Sequence, residues 1–372
     1  MTKATDLTTP SFIVDLDKLE RNLREMGELC QTNGKLLCPM VKSHKSTAIV
    51  DLQVKYGATA FLVGTLDEAE KLIEHDHKEI VLPYPVAGAA NIARVITLAR
   101  QAHITLSFDG LDAVEAFEAA LAKENITLDY LIIVDCGLHR LGVSAENVAL
   151  LAKELAVFSH LKFKGISTHP GQVYGKSNIA DVECVAAEEA RSLKQAKKGL
   201  EAAGFSVPIV ATGSTPTAPF VASDKTITTL RPGNYVFYDA IQVALGVVPL
   251  ERCALTVLAT VIAHPAPDMF IMDAGSKCFG LDKGAHSVSL VSGYGIVKDH
   301  PELAVESLSE EIGKLRVTGV SDLMIGDKLE IIPNHACPAA NMTNWLIGHR
   351  GGNVETILDI DARGGAVRKP AF

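Results

Sequence analysis

The feature that most limits the fold of this chain is a repeated exchange between two hydrophobic periods. Short apolar runs lie at LLCPMV (36–41), TAFLVG (59–64), EIVLPY (79–84), ITLSFD (104–109), DYLIIVD (129–135), FKGIST (163–168), VPIVAT (207–212) and TITTLRPG (226–233). Between most of them lie amphipathic stretches of helical period: LDEAEKLIEH, AANIARVITLARQA, LDAVEAFEAALAKE, ENVALLAKELAV and the long segment Ile179 to Ala203, which Gly204 ends. Strands that alternate with helices build a parallel sheet, and eight such units suit a closed (β/α)8 TIM barrel. A doubly wound open sheet is the competing arrangement. No GxGxxG follows the first strand, which weakens its dinucleotide-binding version.

Phe12 to Asp15, after Pro10, is a further strand candidate that runs into a helix with apolar Leu16, Leu19, Leu23 and Met26. Near Val247 the texture changes. ALTVLATVIAHPA, MFIMDAG, HSVSLVSGYGIVKD, KLRVTGV, KLEIIPNH and TNWLIGHR read as strands divided by turn signals. The expected organisation is a barrel over residues 13–245 and a mostly antiparallel β domain made of residues 1–12 with 246–372.

Composition narrows the function. A net charge of −9 leaves no basic stripe to neutralise phosphates, which argues against nucleic acid as a partner. No apolar stretch approaches the roughly 18 to 20 residues of a membrane span. MTKATDLTTP lacks an apolar signal core and the seven cysteines show no framework spacing, so a reduced, cytoplasmic location is expected.

In such a barrel the carboxyl ends of the strands line the active site. Alternation along the first run puts Cys38, Met40 and Lys42 on one face, with Lys42 at the strand's end and His44 just behind it. Alone, VKSHK is equally an ordinary solvated strand-to-helix turn. Strand five leads to Arg140, set between apolar residues, and strand six to His169, Gln172 and Tyr174. Strands seven and eight lead into Gly213, Ser214, Thr215 and Thr217, and into Gly233 and Asn234. Small hydroxyl and glycine residues there suit a phosphate, because backbone N–H groups and a helix N-terminus can face an anion. GSTPT is also a good turn and N-cap sequence. A lysine after strand one opposite a phosphate site after strands seven and eight points to an aldehyde cofactor bearing a phosphate, pyridoxal 5'-phosphate.

A second constellation is PNHACP (333–338) in the β domain. If this segment is extended, His335 and Cys337 project to one face roughly 6.5 to 7 Å apart along the strand. A metal with bonds of roughly 2.0 Å to imidazole nitrogen and 2.3 Å to thiolate can bridge them and keep positions open for water or substrate. A buried thiol beside a satisfied histidine is the plainer alternative. His75 and His77, in the acidic helix end EHDHKE, read as solvated surface.

Together these segments resemble one family, the fold-type III pyridoxal phosphate enzymes of the D-threonine aldolase and D-serine dehydratase branch. The resemblance runs through TPSFIVDLDKLERNL, VKSHKS, DCGLHRLGV, THPGQVYG, TGSTPT, TTLRPGNYVFYD, DAGSK, GDKLEIIPNHACP and DIDARGG. It implies an alanine-racemase-like barrel with a β domain, bound pyridoxal 5'-phosphate and a divalent metal. It also implies a homodimer in which the β domain of one chain closes the barrel of the other. Lys42 then corresponds to the lysine that holds the cofactor's aldehyde, and Arg140 to the arginine near its phenolic oxygen. Gly213, Ser214, Thr215, Gly233 and Asn234 fall in the phosphate segments, and His335 with Cys337 on the metal pair. Gln172 and Tyr174 become neighbours of the pyridine ring. Cys38, Pro39 and Met40 stand where the family often reads Arg-Pro-His, Thr229 where it often has glutamate, and Ile312 where many relatives have histidine. These departures bear on substrate more than on cofactor.

The implied chemistry is that of a lyase acting on D-3-hydroxy amino acids. With the Cα–H bond aligned to the cofactor, Lys42 takes the proton and the hydroxyl leaves, giving a 2-keto acid and ammonia. With Cα–Cβ aligned, His44 or His169 is the candidate base for retro-aldol cleavage to glycine and an aldehyde. Dehydratase members tend towards His-x-Cys and aldolase members towards His-x-Asp, so a D-serine-dehydratase-like activity leads and an aldolase follows. A thiolate with an imidazole favours zinc over manganese or magnesium. A racemase has no role for the metal pair, and a non-catalytic cofactor carrier has none for the β domain.

Overall fold

The computed structural model describes residues 2–284 and 289–364. Residues 286–288 of the HSVSLVSGYGIVKD run, and the last residue of DIDARGG, lie outside the described residues. Strand β1 (Ser11–Asp15) ends in Asp15, whose carboxylate accepts from the N–H groups of Asp17 and Lys18 and so caps α1 (Leu16–Thr32). Leu16, Leu19, Leu23 and Met26 lie on the buried face of α1, as their spacing predicts.

The parallel sheet follows. Its strands are β2 (Leu36–Leu37), β3 (Phe61–Leu62), β4 (Glu79–Val81), β5 (His103–Phe108), β6 (Leu128–Ile133), β7 (Leu161–Ser167), β8 (Ile209–Thr212) and β9 (Thr229–Leu230). They pair in the order β2-β9-β8-β7-β6-β5-β4-β3. The two ends of that order meet. Thr59 N–H donates to the Leu37 carbonyl at 3.0 Å and Leu62 N–H to that of Pro39 at 2.9 Å, which closes the barrel. Helices α2 (Thr47–Lys55), α3 (Leu66–Glu74), α4 (Ala89–Ala99), α5 (Asp112–Glu124), α6 (Val148–Leu155) and α7 (Ile179–Ala202) connect successive strands through β8.

One local expectation is corrected here. The first run does not stay extended to Lys42. Pro39 has no N–H to give to a ladder, so regular pairing stops at Leu37, resumes as one bridge at Met40, and passes into a 3-10 turn at Val41–Ser43. A turn, not strand alternation, therefore sets the direction of Lys42.

The second sheet contains β10 (Leu255–Ala266), β11 (Met269–Met272), β12 (Ile296–Val297), β13 (Leu303–Leu308), β14 (Gly313–Val317), β15 (Lys328–Ile332), β16 (Trp345–Arg350) and β17 (Asn353–Asp359). Because β10 pairs with β11 as well as β15, the six strands β10-β11-β14-β13-β12-β15 close on themselves. Strand β1 is inserted beside them, antiparallel to β10 and parallel to β16. The chain thus begins in the β domain, crosses into the barrel through α1, and returns after β9. His77 is a small correction: its ring stacks edge-on against Phe61 and reaches Asp51 at 3.0 Å, so it is half-packed, while His75 is exposed. Among the described residues no helix is long and apolar enough to cross a membrane.

Candidate active site

The carboxyl ends of the barrel strands and one segment of the β domain enclose a cavity of about 470 Å³. That volume is in the range of small-molecule sites. From the barrel come Lys42, Arg140, His169, Tyr174, Gly213, Ser214, Thr215, Gly233 and Asn234, and from the β domain His335 and Cys337. Two expected site residues are elsewhere. His44 is fully buried behind the turn, where its Nδ1 accepts from Ser46 N–H at 3.2 Å and burial pushes its pKa down to about 4. It cannot reach substrate in the cavity. Gln172 turns away as well, donating from Nε2 to the Cys136 carbonyl at 2.8 Å.

Lys42 is backed by a close approach of two chain segments. A Cβ on Gly64 would stand 2.9 Å from Lys42 Cβ and 3.3 Å from the Glu68 carboxylate, so only glycine fits there. Glu68 is wholly buried on α3; it accepts from Gly64 N–H at 2.6 Å and pairs with Lys45 Nζ at 2.9 Å. Burial raises its pKa and Lys45 works against that rise, with Lys42 adding a smaller attraction. The residue at the cavity floor that the sequence did not single out is Arg231. It is buried, lines the cavity, and its Nε and Nη1 have no hydrogen-bond partner among the described residues. Burial lowers its pKa only to about 10, so it is a cation at neutral pH, with no protein anion beside it among the described residues.

Arg140 sits at the rim on a turn that Asp135 organises. The Asp135 carboxylate accepts from Gly137 N–H (2.9 Å), His139 N–H (3.1 Å) and His139 Nδ1 (2.7 Å). Burial would raise its pKa, and these bonds outweigh that and hold it below the usual carboxylate range. The phosphate-type loops carry their own supports. Thr217 Oγ1 accepts from Ser214 N–H at 3.1 Å, and Thr215 Oγ1 accepts from Tyr235 N–H at 3.0 Å. The helix that follows, Ala218–Val221, is a single turn, so the anion-accepting character rests on N–H and hydroxyl groups more than on a helix dipole.

His335 and Cys337, the expected metal pair, arrive by a route different from the one their spacing suggested. β15 ends at Ile332, and His335 is the residue before a short helix, Ala336–Asn341, so PNHACP is not an extended strand. The barrel segment after β9 pulls this turn into the cavity. Ala240 and Ile241 N–H donate to the Pro333 and Asn334 carbonyls at 3.2 Å each, and Ala336 N–H donates to Asp239 Oδ2 at 2.9 Å. The pair therefore faces Lys42 of its own chain, in one cavity.

His335 and Cys337 act on each other. Burial alone would lower the histidine pKa, but the Cys337 thiolate beside it and Asp282, 2.9 Å from Nδ1, raise it well above the ordinary value. Burial would likewise raise the thiol, and the imidazolium brings it down. Around them, Asn234 Nδ2 donates to Asp239 Oδ2 at 2.7 Å, and burial pushes the Tyr174 hydroxyl pKa up, with Cys337 and Asp239 adding to it.

These features fit the expected groups. The unpaired Arg231 cation and the small-residue loops of Gly213–Thr215 and Gly233–Asn234 suit an anionic cofactor opposite a lysine. A soft thiolate beside an imidazole whose other nitrogen meets a carboxylate is a donor set for a divalent metal with its outer support in place. Among the described residues no cluster of three metal-binding side chains occurs, so remaining coordination positions would fall to water or substrate.

Comparison with known proteins agrees. Residues 14–240 match the alanine racemase N-terminal domain and residues 254–349 a putative serine dehydratase domain. D-threo-3-hydroxyaspartate dehydratase of Delftia sp. (strain HT23) is 33% identical over 89% of this chain and 91% of that protein. 3-Hydroxy-D-aspartate aldolase of Paracoccus denitrificans (strain Pd 1222) is 30% identical over 97% of this chain and 93% of that protein. The solved Delftia dehydratase superposes with a TM-score of 0.89 at 30% identity, covering 96% of this chain and 99% of that one. A mutant of it was also solved in a metal-free form. The chain belongs to the alanine racemase-like, fold-type III family of pyridoxal phosphate-dependent lyases that includes D-threonine aldolase and D-serine dehydratase.

Proposed function

We propose that the chain is a metal-assisted dehydratase of D-3-hydroxy amino acids, in the manner of D-serine dehydratase. The observation that carries this reading is the presence of His335 and Cys337 in the same cavity as Lys42. Pyridoxal 5'-phosphate supplies, when bound, an electron sink for the Cα bond set perpendicular to its ring, and a divalent metal supplies a Lewis acid. Gly213, Ser214, Thr215, Gly233 and Asn234 hold the phosphate, and Arg231 adds an unpaired positive charge on the cavity floor. Lys42 Nζ holds the cofactor and, released from it, takes the proton from Cα. His335 and Cys337 hold the metal, with zinc favoured by the soft thiolate. A metal held by them would assist departure of the hydroxyl on Cβ; loss of water leaves an enamine, which takes up water again and gives a 2-keto acid and ammonia.

Two solved variants of the Delftia dehydratase support the reading. They are mutants of a cysteine and of a histidine two residues before it, the spacing of Cys337 and His335. The second reading, an aldolase, has its own support in His169, which lines the cavity where His44 does not. Its imidazole is the candidate base for the β-hydroxyl. The test is product identification with D-serine, D-threonine and D-threo-3-hydroxyaspartate in the presence of zinc or manganese. A 2-keto acid with ammonia supports the dehydratase; glycine with an aldehyde overturns it. The same reading takes the enzyme as a homodimer, which light scattering on the purified protein checks.

A further inference from the structure

Behind the phosphate-type loop lies a buried acid that the chemistry above does not use. Glu189, on α7, has no exposed surface. Its Oε1 accepts from Gly213 N–H at 2.9 Å and from the Thr212 hydroxyl. The Thr217 hydroxyl lies against the same carboxyl, and Thr217 in turn accepts from Ser214 N–H. Oε2 has no hydrogen-bond partner among the described residues. Gly213 sits at φ +107°, a conformation that needs glycine, and its N–H is fixed by this carboxyl. One side chain thus reaches three residues of the TGSTPT turn from the side opposite the cavity.

We propose that Glu189 is a positioning residue for the cofactor's phosphate: as the neutral acid, it holds Thr212 and the Gly213 N–H on its own side of the turn, so that Ser214 and Thr215 are presented to the cavity as the anion-accepting groups. The inference rests on the reading of this cavity as a pyridoxal phosphate site. The charge state follows from the surroundings. An ionised carboxylate would leave Oε2 buried and bare, with no cation beside it among the described residues. It would also repel a dianion arriving on the other face of the loop. A proton on the carboxyl removes the buried charge and that repulsion.

Other ionisable groups surround Glu189. Cys136, in the turn after β6, feels its charge, but burial pushes that thiol up to about 11. Glu188 and Arg191 on α7 point to solvent. Arg231 and His169 face the cavity, across the loop. Burial raises the Glu189 pKa to about 7, partly offset by Thr212, Thr217 and Gly213. Phosphate binding therefore draws a proton onto Glu189 above that pH, and affinity for a phosphate-bearing ligand falls as pH rises.

The test is equilibrium dialysis of the cofactor-stripped full chain against pyridoxal 5'-phosphate and against pyridoxal, from pH 7 to 9. The ratio of the two affinities cancels what the two aldehydes have in common and isolates the phosphate. For the unaltered protein the ratio should fall about tenfold over this range. Glu189→Gln, neutral at every pH, should keep the ratio within about threefold at pH 7 and flatten its pH dependence. Glu189→Ala should weaken the phosphate form by about tenfold or more and leave pyridoxal within about threefold. A flat ratio in the unaltered protein, or a Gln variant as weak as the Ala variant, overturns the proposal. Should Glu189→Ala fail to fold, the Gln variant and the pH dependence still decide. If the unaltered chain binds neither aldehyde, the cofactor reading itself fails.

Discussion

The two halves of the cavity are built by different means. On the barrel side the groups that would meet the cofactor are backbone N–H, small hydroxyls and one lysine, each fixed by a parallel strand or its turn. Gly64 lets α3 press against Lys42, and neighbouring hydroxyl groups brace the loop at Ser214. Where the β domain meets the barrel, the cavity is lined by His335 and Cys337 with the barrel's Asp239 and Tyr174 around them, ionisable side chains whose charges depend on one another. The first half is geometry held ready for an anion. The second is a balance of charges that a cation would complete.

That contrast predicts separable failures. Lys42→Ala should remove the visible absorbance of covalently held cofactor and reduce turnover by about a thousandfold or more, with metal content unchanged. His335→Ala or Cys337→Ala should do the converse: metal content by elemental analysis is lost and turnover falls about a hundredfold, while the cofactor band persists. A His335 variant that lost both cofactor and metal would break the comparison, because the halves would then form one cooperative unit. Asp282→Asn sharpens it. The Asp282 carboxylate meets the far nitrogen of His335 at 2.9 Å, so zinc affinity, read by competition with a chelator, should drop about tenfold, with smaller effects on turnover. Unchanged zinc affinity would show that Asp282 does not orient the ring.

The barrel was legible because its signal is periodic. Apolar runs and amphipathic helices identified each strand to within a few residues, and small residues at the ends of β8 and β9 marked the anion side. What stayed hidden depends on contacts that spacing does not encode. Arg231 follows two buried strand residues, Thr229 and Leu230, and looks like the start of a solvated turn until β2 and β8 enclose it. Glu189 sits in an ordinary helical repeat beside Glu188, and only the rotation of α7 tells the buried carboxylate from the exposed one. His44 was misplaced for the opposite reason. Its nearness to Lys42 in sequence suggested a shared cavity, but the 3-10 turn at Val41–Ser43 sends the two side chains to different sides. In the β domain, β13 escaped notice because Glu306 and Ser307 interrupt its short apolar run.

His44 offers a check on that last point that is independent of catalysis. Its pKa is pushed down to about 4 by burial, against an ordinary value of 6.5, so the folded state binds fewer protons than the unfolded chain between those pH values. Its neutral form is fully compatible with the fold above pH 6.5, and stability is lost as pH falls from there to about 4. The contribution is about 3 kcal/mol for a group so deeply enclosed. Thermal midpoints of the unaltered protein and His44→Gln, compared at pH 7 and pH 4.5, should converge at the lower pH. A constant difference would place the imidazole in water, and with it back within reach of substrate.

The smallest expected effect concerns substrate choice, where the two halves meet. Met40 lines the cavity beside Lys42, whereas Cys38, buried next to Arg231, does not. An unbranched thioether at that wall offers an apolar, adaptable surface and no hydrogen bond. Substrates with small uncharged side chains should therefore be handled better than D-threo-3-hydroxyaspartate, whose second carboxylate would face that wall. Met40→His places a polar ring at the same wall and should move the ratio of kcat/KM for hydroxyaspartate over D-serine upward by about threefold to tenfold. Because Met40 bridges to Leu62 through its backbone alone, the barrel closure does not depend on its side chain. An unchanged ratio in a correctly folded variant would assign selectivity to the wall where the barrel meets the β domain, to Ile241 or Gln242, and leave the wall beside Lys42 with cofactor binding only.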